Sequence, residues 1–112
     1  MLSISTFYFK NNDLKMSFSF TNNSTFIDFY KSNKGLSSLK INKFFIDTFL
    51  YNSEMLLYNK QKISASLKNF FNYSLYLDNN IYTLNINNIN LSFNQKEFID
   101  FYKFMSYLKG VI

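Results

Sequence analysis

Lys60, Lys62 and Lys68 crowd into one short stretch, and Lys34 stands directly before Gly35 with Lys31 just upstream. An ammonium group is a point cation that meets phosphate without reading a base. Tyr58 and Phe70 flank the cluster and could stack on bases or simply pack. A lysine-rich surface also has a plainer use, which is to stay solvated. Catalytic chemistry has far less to work with. With no His and no Cys, the usual bases, nucleophiles and soft metal ligands are gone. The carboxylates Asp13, Asp28, Asp47, Glu54, Asp78, Glu97 and Asp100 are scattered, with no spacing that suggests a metal pair. Two glycines cannot build a loop that cradles phosphate. The expectation is a binding protein and no enzyme, with no cofactor, metal or small-molecule ligand.

The residue types follow a bias that folding does not require. Arg, Pro, His, Cys and Trp are absent, while there are 17 Asn, 15 Phe and 12 Lys. The missing residues mostly need G- or C-rich codons, and those in excess can be written in A and T. Drift in a very AT-rich genome accounts for this, of the kind found in some mitochondria, plastids, endosymbionts and parasites. Organelle genomes keep mainly ribosomal proteins and respiratory subunits. At 112 residues the chain is long enough for a single core. A hydrophobic content of 47% sets it apart from disordered tails. No apolar run approaches the roughly 18–20 residues of a membrane span, and the start, Met1 to Lys15, signals neither secretion nor import. These features argue against a membrane-embedded respiratory subunit and suit an organelle-encoded product, which needs no import signal.

The elements that would position the lysines can be sketched from periodicity. Leu14, Met16, Phe18 and Phe20 alternate with Lys15, Ser17 and Ser19, which predicts a strand with one buried face. Residues 2–9 look strand-like and end at a turn, Asn11-Asn12-Asp13, so residues 2–20 form a hairpin. Another short strand is expected at Thr25–Lys31, then a loop through Gly35. Ser37 or Ser38 would cap a first helix from about Ser38 to Tyr51, with Leu39, Ile41, Phe45, Ile46, Phe49 and Leu50 on one half. Phe44 falls off that apolar arc. Residues 54–66 suggest a strand and then a polar segment. Phe71, Tyr73, Leu75 and Leu77 alternate, Asp78-Asn79-Asn80 makes a tight turn, and Tyr82, Leu84 and Ile86 share one face of the return strand. Tyr76 points away from the core side. The apolar positions then shift by one, to Ile89, Leu91 and Phe93, as at a bulge. Asn94 with Glu97 is a capping pair, and Phe98, Phe101, Tyr102, Met105 and Leu108 follow at helical spacing until Gly110 stops the helix.

The hexapeptide Phe-Ile-Asp-Phe-Tyr-Lys occurs at residues 26–31 and again at 98–103. With so few residue types in use, chance explains the repeat better than duplication. The flanks assign the first copy to a strand and the second to a helix.

From Thr25 onward the expected order is strand, helix, strand, strand with a hairpin, helix. That order is most of a ferredoxin-like split βαβ unit. It resembles the universal small-subunit ribosomal protein S-ten family. The likeness covers about residues 25–112 through the loop into the first helix, the basic segment Glu54–Lys68, the β-ribbon Phe70–Leu77 and Ile81–Phe93, and the second helix leading into Gly110-Val111. The resemblance implies an α+β fold with an antiparallel sheet, two helices on one face, a long β-ribbon and a truncated last strand. Residues 1–24 would then be an extension of a single domain, 25–112.

The resemblance further implies a structural rRNA-binding protein in the head of a mitochondrial small ribosomal subunit. Lys34, Lys60, Lys62 and Lys68 would meet rRNA, and the ribbon would meet neighbouring ribosomal proteins, while Phe44 and Tyr76 suit protein contacts. The competing expectation is a soluble accessory subunit of an organellar respiratory complex, held by protein contacts alone. Losing the last strand would bare one edge of Thr25–Lys31. Leu14–Phe20 would either pair antiparallel with that edge, turning Met16, Phe18 and Phe20 to the core, or reach outward as an arm.

Overall fold

The computed structural model of the chain describes residues 3–9, 14–20, 25–31, 34–59, 63–67, 71–86 and 89–111. They form an α+β fold of two antiparallel four-stranded sheets and two helices. The first sheet holds β1 (Ser3–Phe9), β2 (Leu14–Phe20), β3 (Thr25–Lys31) and β4 (Lys34–Ile41), and α1 (Lys43–Asn59) follows. The second holds β5 (Ile63–Leu67), β6 (Phe71–Asp78), β7 (Ile81–Ile86) and β8 (Ile89–Phe93), and α2 (Gln95–Val111) follows. In both sheets the strands stand side by side in chain order, so the chain spells ββββα twice.

The N-terminal segment completes the first sheet. β2 pairs antiparallel with β3 over its whole length, from Leu14 opposite Lys31 to Phe20 opposite Thr25. Met16 and Phe18 are fully buried, as the alternation requires. Residues 14–20 are therefore part of the sheet, the outward arm is excluded for them, and the side chain of Phe20 lies outside what the structure describes.

The other edge of β3 is filled in a way that periodicity did not reveal. Residues 34–41 form β4 rather than a loop and the start of a helix. Leu39 and Ile41 fit a helical stripe, but they also alternate, and in β4 they lie opposite Ile27 and Thr25. The helix starts later, at Lys43. Its cap is Asn42, whose Oδ1 accepts a 2.9 Å hydrogen bond from the Phe45 amide, so neither Ser37 nor Ser38 serves. The same helix then absorbs residues 54–59, expected as a strand. A short unbroken apolar run such as 55–58 has no period of its own, and Leu56 extends the buried stripe of Phe45, Phe49 and Ser53.

The ribbon differs too. Asn79 and Asn80 take φ values of 51° and 65°, the left-handed pair expected of a two-residue turn joining β6 to β7. The strand then ends at Ile86, and Ile86 stands opposite Ile89 on β8. The shift in apolar parity marks a second reversal, not a bulge within one long strand. Gly110 does not end α2, which continues to Val111, and Gly110 has no positive φ. With β4 present and α1 running through residue 59, the described elements from Thr25 read ββαββββα in place of the expected βαββα.

One hydrophobic cluster joins both sheets to both helices. Its hub is Phe101 of α2, whose ring lies 5.2 Å from Phe7 of β1, 5.6 Å from Phe49 of α1 and 5.3 Å from Phe93 of β8. Phe104 adds contacts to Phe7 and Phe18 of the first sheet, and Phe98 packs on Tyr82 and Phe93 of the second. Asn94 and Glu97 form the reciprocal cap that starts α2, at 2.9 and 2.8 Å. The helices lie side by side, with Lys109 Nζ 3.2 Å from Asp47 Oδ1. That oxygen has no hydrogen bond of good geometry, so the contact is one of charge between half-exposed groups and contributes little.

Candidate nucleic-acid interface

Alternation in the first sheet sorts its side chains cleanly. Leu14, Met16, Phe18, Ile27, Phe29, Leu39 and Ile41 are buried, and their neighbours in sequence face the other way. The outward rows carry Lys15, Ser17 and Ser19 on β2, Phe26, Asp28 and Tyr30 on β3, and Ser38 and Lys40 on β4. α2 meets this sheet from its buried side, through Phe7 and Phe18. Lys15 is the cross-strand neighbour of Tyr30, with its Nζ 5.0 Å from the ring centre. Lys40 is the cross-strand neighbour of Phe26 on the opposite flank.

Lys34 lies where β4 begins. It is exposed and directly opposite Lys31, also exposed. Like charges facing one another across a strand pair repel, and an anion placed over them relieves that repulsion. Lys60, Lys62 and Lys68 lie outside the described residues, on either side of β5. The structure thus gives the basic surface a part that reasoning from sequence missed. Lys15 falls on the polar side of its strand and Lys40 lies off the apolar half of the helix expected over 38–51, yet cross-strand register sets each beside an aromatic. The missing signal was register, which needs β4 to be recognised as a strand.

The outer face of the second sheet is of another kind. From Phe71 to Phe93 there is no lysine, and Ser74, Tyr76, Thr83, Asn85, Asn90 and Ser92 share the face. Asn85 Nδ2 donates to Asn90 Oδ1 at 2.6 Å across it. Tyr76 lies there half-buried, away from the core as expected. Phe44 is 62% exposed on α1. It is joined by Tyr51 and Tyr58, 63% and 83% exposed. A spacing of seven residues puts all three on one stripe of the helix, so Phe44 belongs to an aromatic row that its own position did not disclose.

Two tyrosines are perturbed near the helices. Burial raises the Tyr73 hydroxyl above its usual pKa, and a 2.8 Å hydrogen bond from Asn52 Nδ2 partly offsets the rise. Partial burial and then the Glu54 carboxylate, which accepts its hydrogen bond, raise Tyr102. Among the described residues no three His, Cys, Asp or Glu side chains gather to hold a metal ion. No described helix is long and apolar enough to cross a membrane. No protein-family model, no curated protein and no solved structure matches the chain.

Proposed function

We propose that this chain is a non-catalytic, rRNA-binding structural protein of an organellar small ribosomal subunit. The observation that carries the reading is the segregation of cations. Lys15 and Lys40 stand on the outer face of the first sheet beside Tyr30 and Phe26, and Lys31 and Lys34 stand at the end of its other face, whereas the second sheet from Phe71 to Phe93 has none. A surface kept basic for solubility alone has no need to favour one sheet. A polyanion does, because each phosphate neutralised releases a counterion and adds to affinity. The AT-driven composition supplies the organelle, and the matrix of a mitochondrion is its compartment.

A narrower form of the proposal seats the chain in the subunit head by likeness to the S-ten family and its ferredoxin-like sheet. The observed element order weighs against that form, and the RNA-binding reading does not depend on it. A second reading, the accessory subunit of a respiratory complex, is favoured by the exposed row Phe44, Tyr51 and Tyr58. Exposed apolar rows of this kind mark protein contacts, and within a ribosome the same row would meet a neighbouring protein.

Sedimentation of organelle lysate separates the two. Co-migration with the small subunit, released by high salt or by RNase, is the expected outcome. Migration with a membrane complex that is indifferent to RNase would overturn the ribosomal reading.

A further inference from the structure

We infer that the outer face of the first sheet binds single-stranded RNA by stacking bases on Tyr30 and Phe26. This rests on the RNA-binding reading and narrows it to one conformation of the nucleic acid and one face of the protein.

The two rings stand on the same strand, four residues apart and both outward. At roughly 3.3 Å per residue they are about 13 Å from each other. Consecutive bases of a duplex strand are ~3.4 Å apart along the axis, so a stacked duplex cannot offer a base to each ring. Its base faces are also covered by their neighbours. A single strand can splay its bases and set non-adjacent ones on the two rings.

The lysines fit the same geometry. Tyr30 has Lys15 beside it on β2, and Phe26 has Lys40 beside it on β4. Every ring is therefore paired with an ammonium, one on either flank of β3. Lys15 now rests over the Tyr30 ring at 5.0 Å. A base taking that ring face releases the ammonium to a phosphate a short distance away. Lys31, opposite buried Leu14, and Lys34, opposite Lys31, fall on the other face of the sheet and take no part in this one. Among the described residues the face carries one carboxylate, Asp28, midway between the rings. It holds phosphates out toward the lysine rows and offers an acceptor to the exocyclic amine of a base.

The test uses the full chain with a fluorescently labelled single-stranded RNA of mixed sequence and a hairpin duplex of equal length, titrated at several salt concentrations. Preference for the single strand is expected. F26L and Y30L should each weaken it roughly fivefold to a hundredfold, the scale of one base–aromatic stack, while leaving its salt dependence alone. K15Q and K40Q should lower the single-strand salt slope by about 0.7 each. In the wild-type protein, ring protons of Phe26 and Tyr30 should shift upfield in NMR spectra when the single strand is added, which needs no variant to fold. Equal affinity for the duplex, or unshifted ring protons, would overturn the stacking inference and leave RNA binding standing. Binding to neither RNA would remove both.

Discussion

Tyr82 on β7 and Phe98 on α2 stack face to face, their ring centres 4.6 Å apart and their planes within 9°. Both are buried, and the Tyr82 hydroxyl has no hydrogen-bond partner among the described residues. A buried hydroxyl left unpaired costs the free energy of taking it out of water, roughly 1–3 kcal/mol. Tyr82→Phe keeps the stack and removes that cost, so it should leave stability unchanged or raise it. Ser53, buried on α1 with an equally unpartnered hydroxyl, should respond to Ser53→Ala in the same direction, helped by the better helix propensity of Ala. Chemical denaturation of both variants is the check. A loss above about 1 kcal/mol in Tyr82→Phe would mean that the hydroxyl has a partner after all.

Phe101 should be the costliest ring to remove. It touches both sheets and α1 at once, and its loss opens a cavity where four elements meet. Phe101→Ala is expected to destabilise by ~3–5 kcal/mol, enough to unfold a marginal domain. Phe101→Leu is the milder comparison. If the Ala variant melts within a few degrees of the parent, the two sheets do not share one cooperative core.

Tyr73 gives the fold a dependence on alkaline pH. Its folded pKa is raised above 10.0 by burial, so the folded state holds the proton more tightly than the unfolded chain. The resulting stability is fully present below the unfolded value and is lost as pH rises through the folded one. Tyr73→Phe should lose the Asn52 hydrogen bond at neutral pH, about 0.5–1.5 kcal/mol, and should then fall less steeply than the parent above pH 10.0. Parallel stability curves for the two proteins across that range would refute the assignment.

The uncovered edge of the first sheet should govern solubility. β4, one edge, carries Lys34 and Lys40 and a register shift between Phe29 and Tyr30. β1, the other, pairs with β2 without a break over Ser3–Phe9 and holds no charged residue. Edges of the second kind invite further strands. Thr6 is half-buried, with its hydroxyl 3.3 Å from that of Ser17. Thr6→Lys should slow aggregation of the purified chain while shifting stability by no more than about 0.5 kcal/mol. Unaltered aggregation kinetics, followed by light scattering, would place the sticky surface elsewhere, with Phe44, Tyr51 and Tyr58 the next to change.

Much of this architecture is written locally. Strict alternation in Leu14–Phe18 and in Tyr73–Leu77 fixes which side chains share a face, because successive strand residues point to opposite sides. Asn94 and Glu97 start α2 through hydrogen bonds that span three residues, and the Asn79-Asn80 turn needs only their tolerance of positive φ. Lys34 is exposed, but on a strand where the sequence suggests a loop. Tertiary partners decided the rest. Leu39 and Ile41 satisfy a helix and a strand equally well, and the free edge of β3 made them a strand. Lys15 and Lys40 gained a candidate role only when that register set them beside Tyr30 and Phe26.

The repeated hexapeptide shows the division most directly. Phe26 turns outward on β3 while Phe98, the same first residue, is buried on α2 against Tyr82. Ile27 is fully buried in the strand, whereas Ile99 is half-exposed on the helix. Six residues carry too little free energy to choose a conformation alone. The choice fell to the Asn94–Glu97 cap for one copy and to flanking strands on both sides for the other. A local sequence states which groups must leave water; the neighbours that take them in exist only in the folded chain.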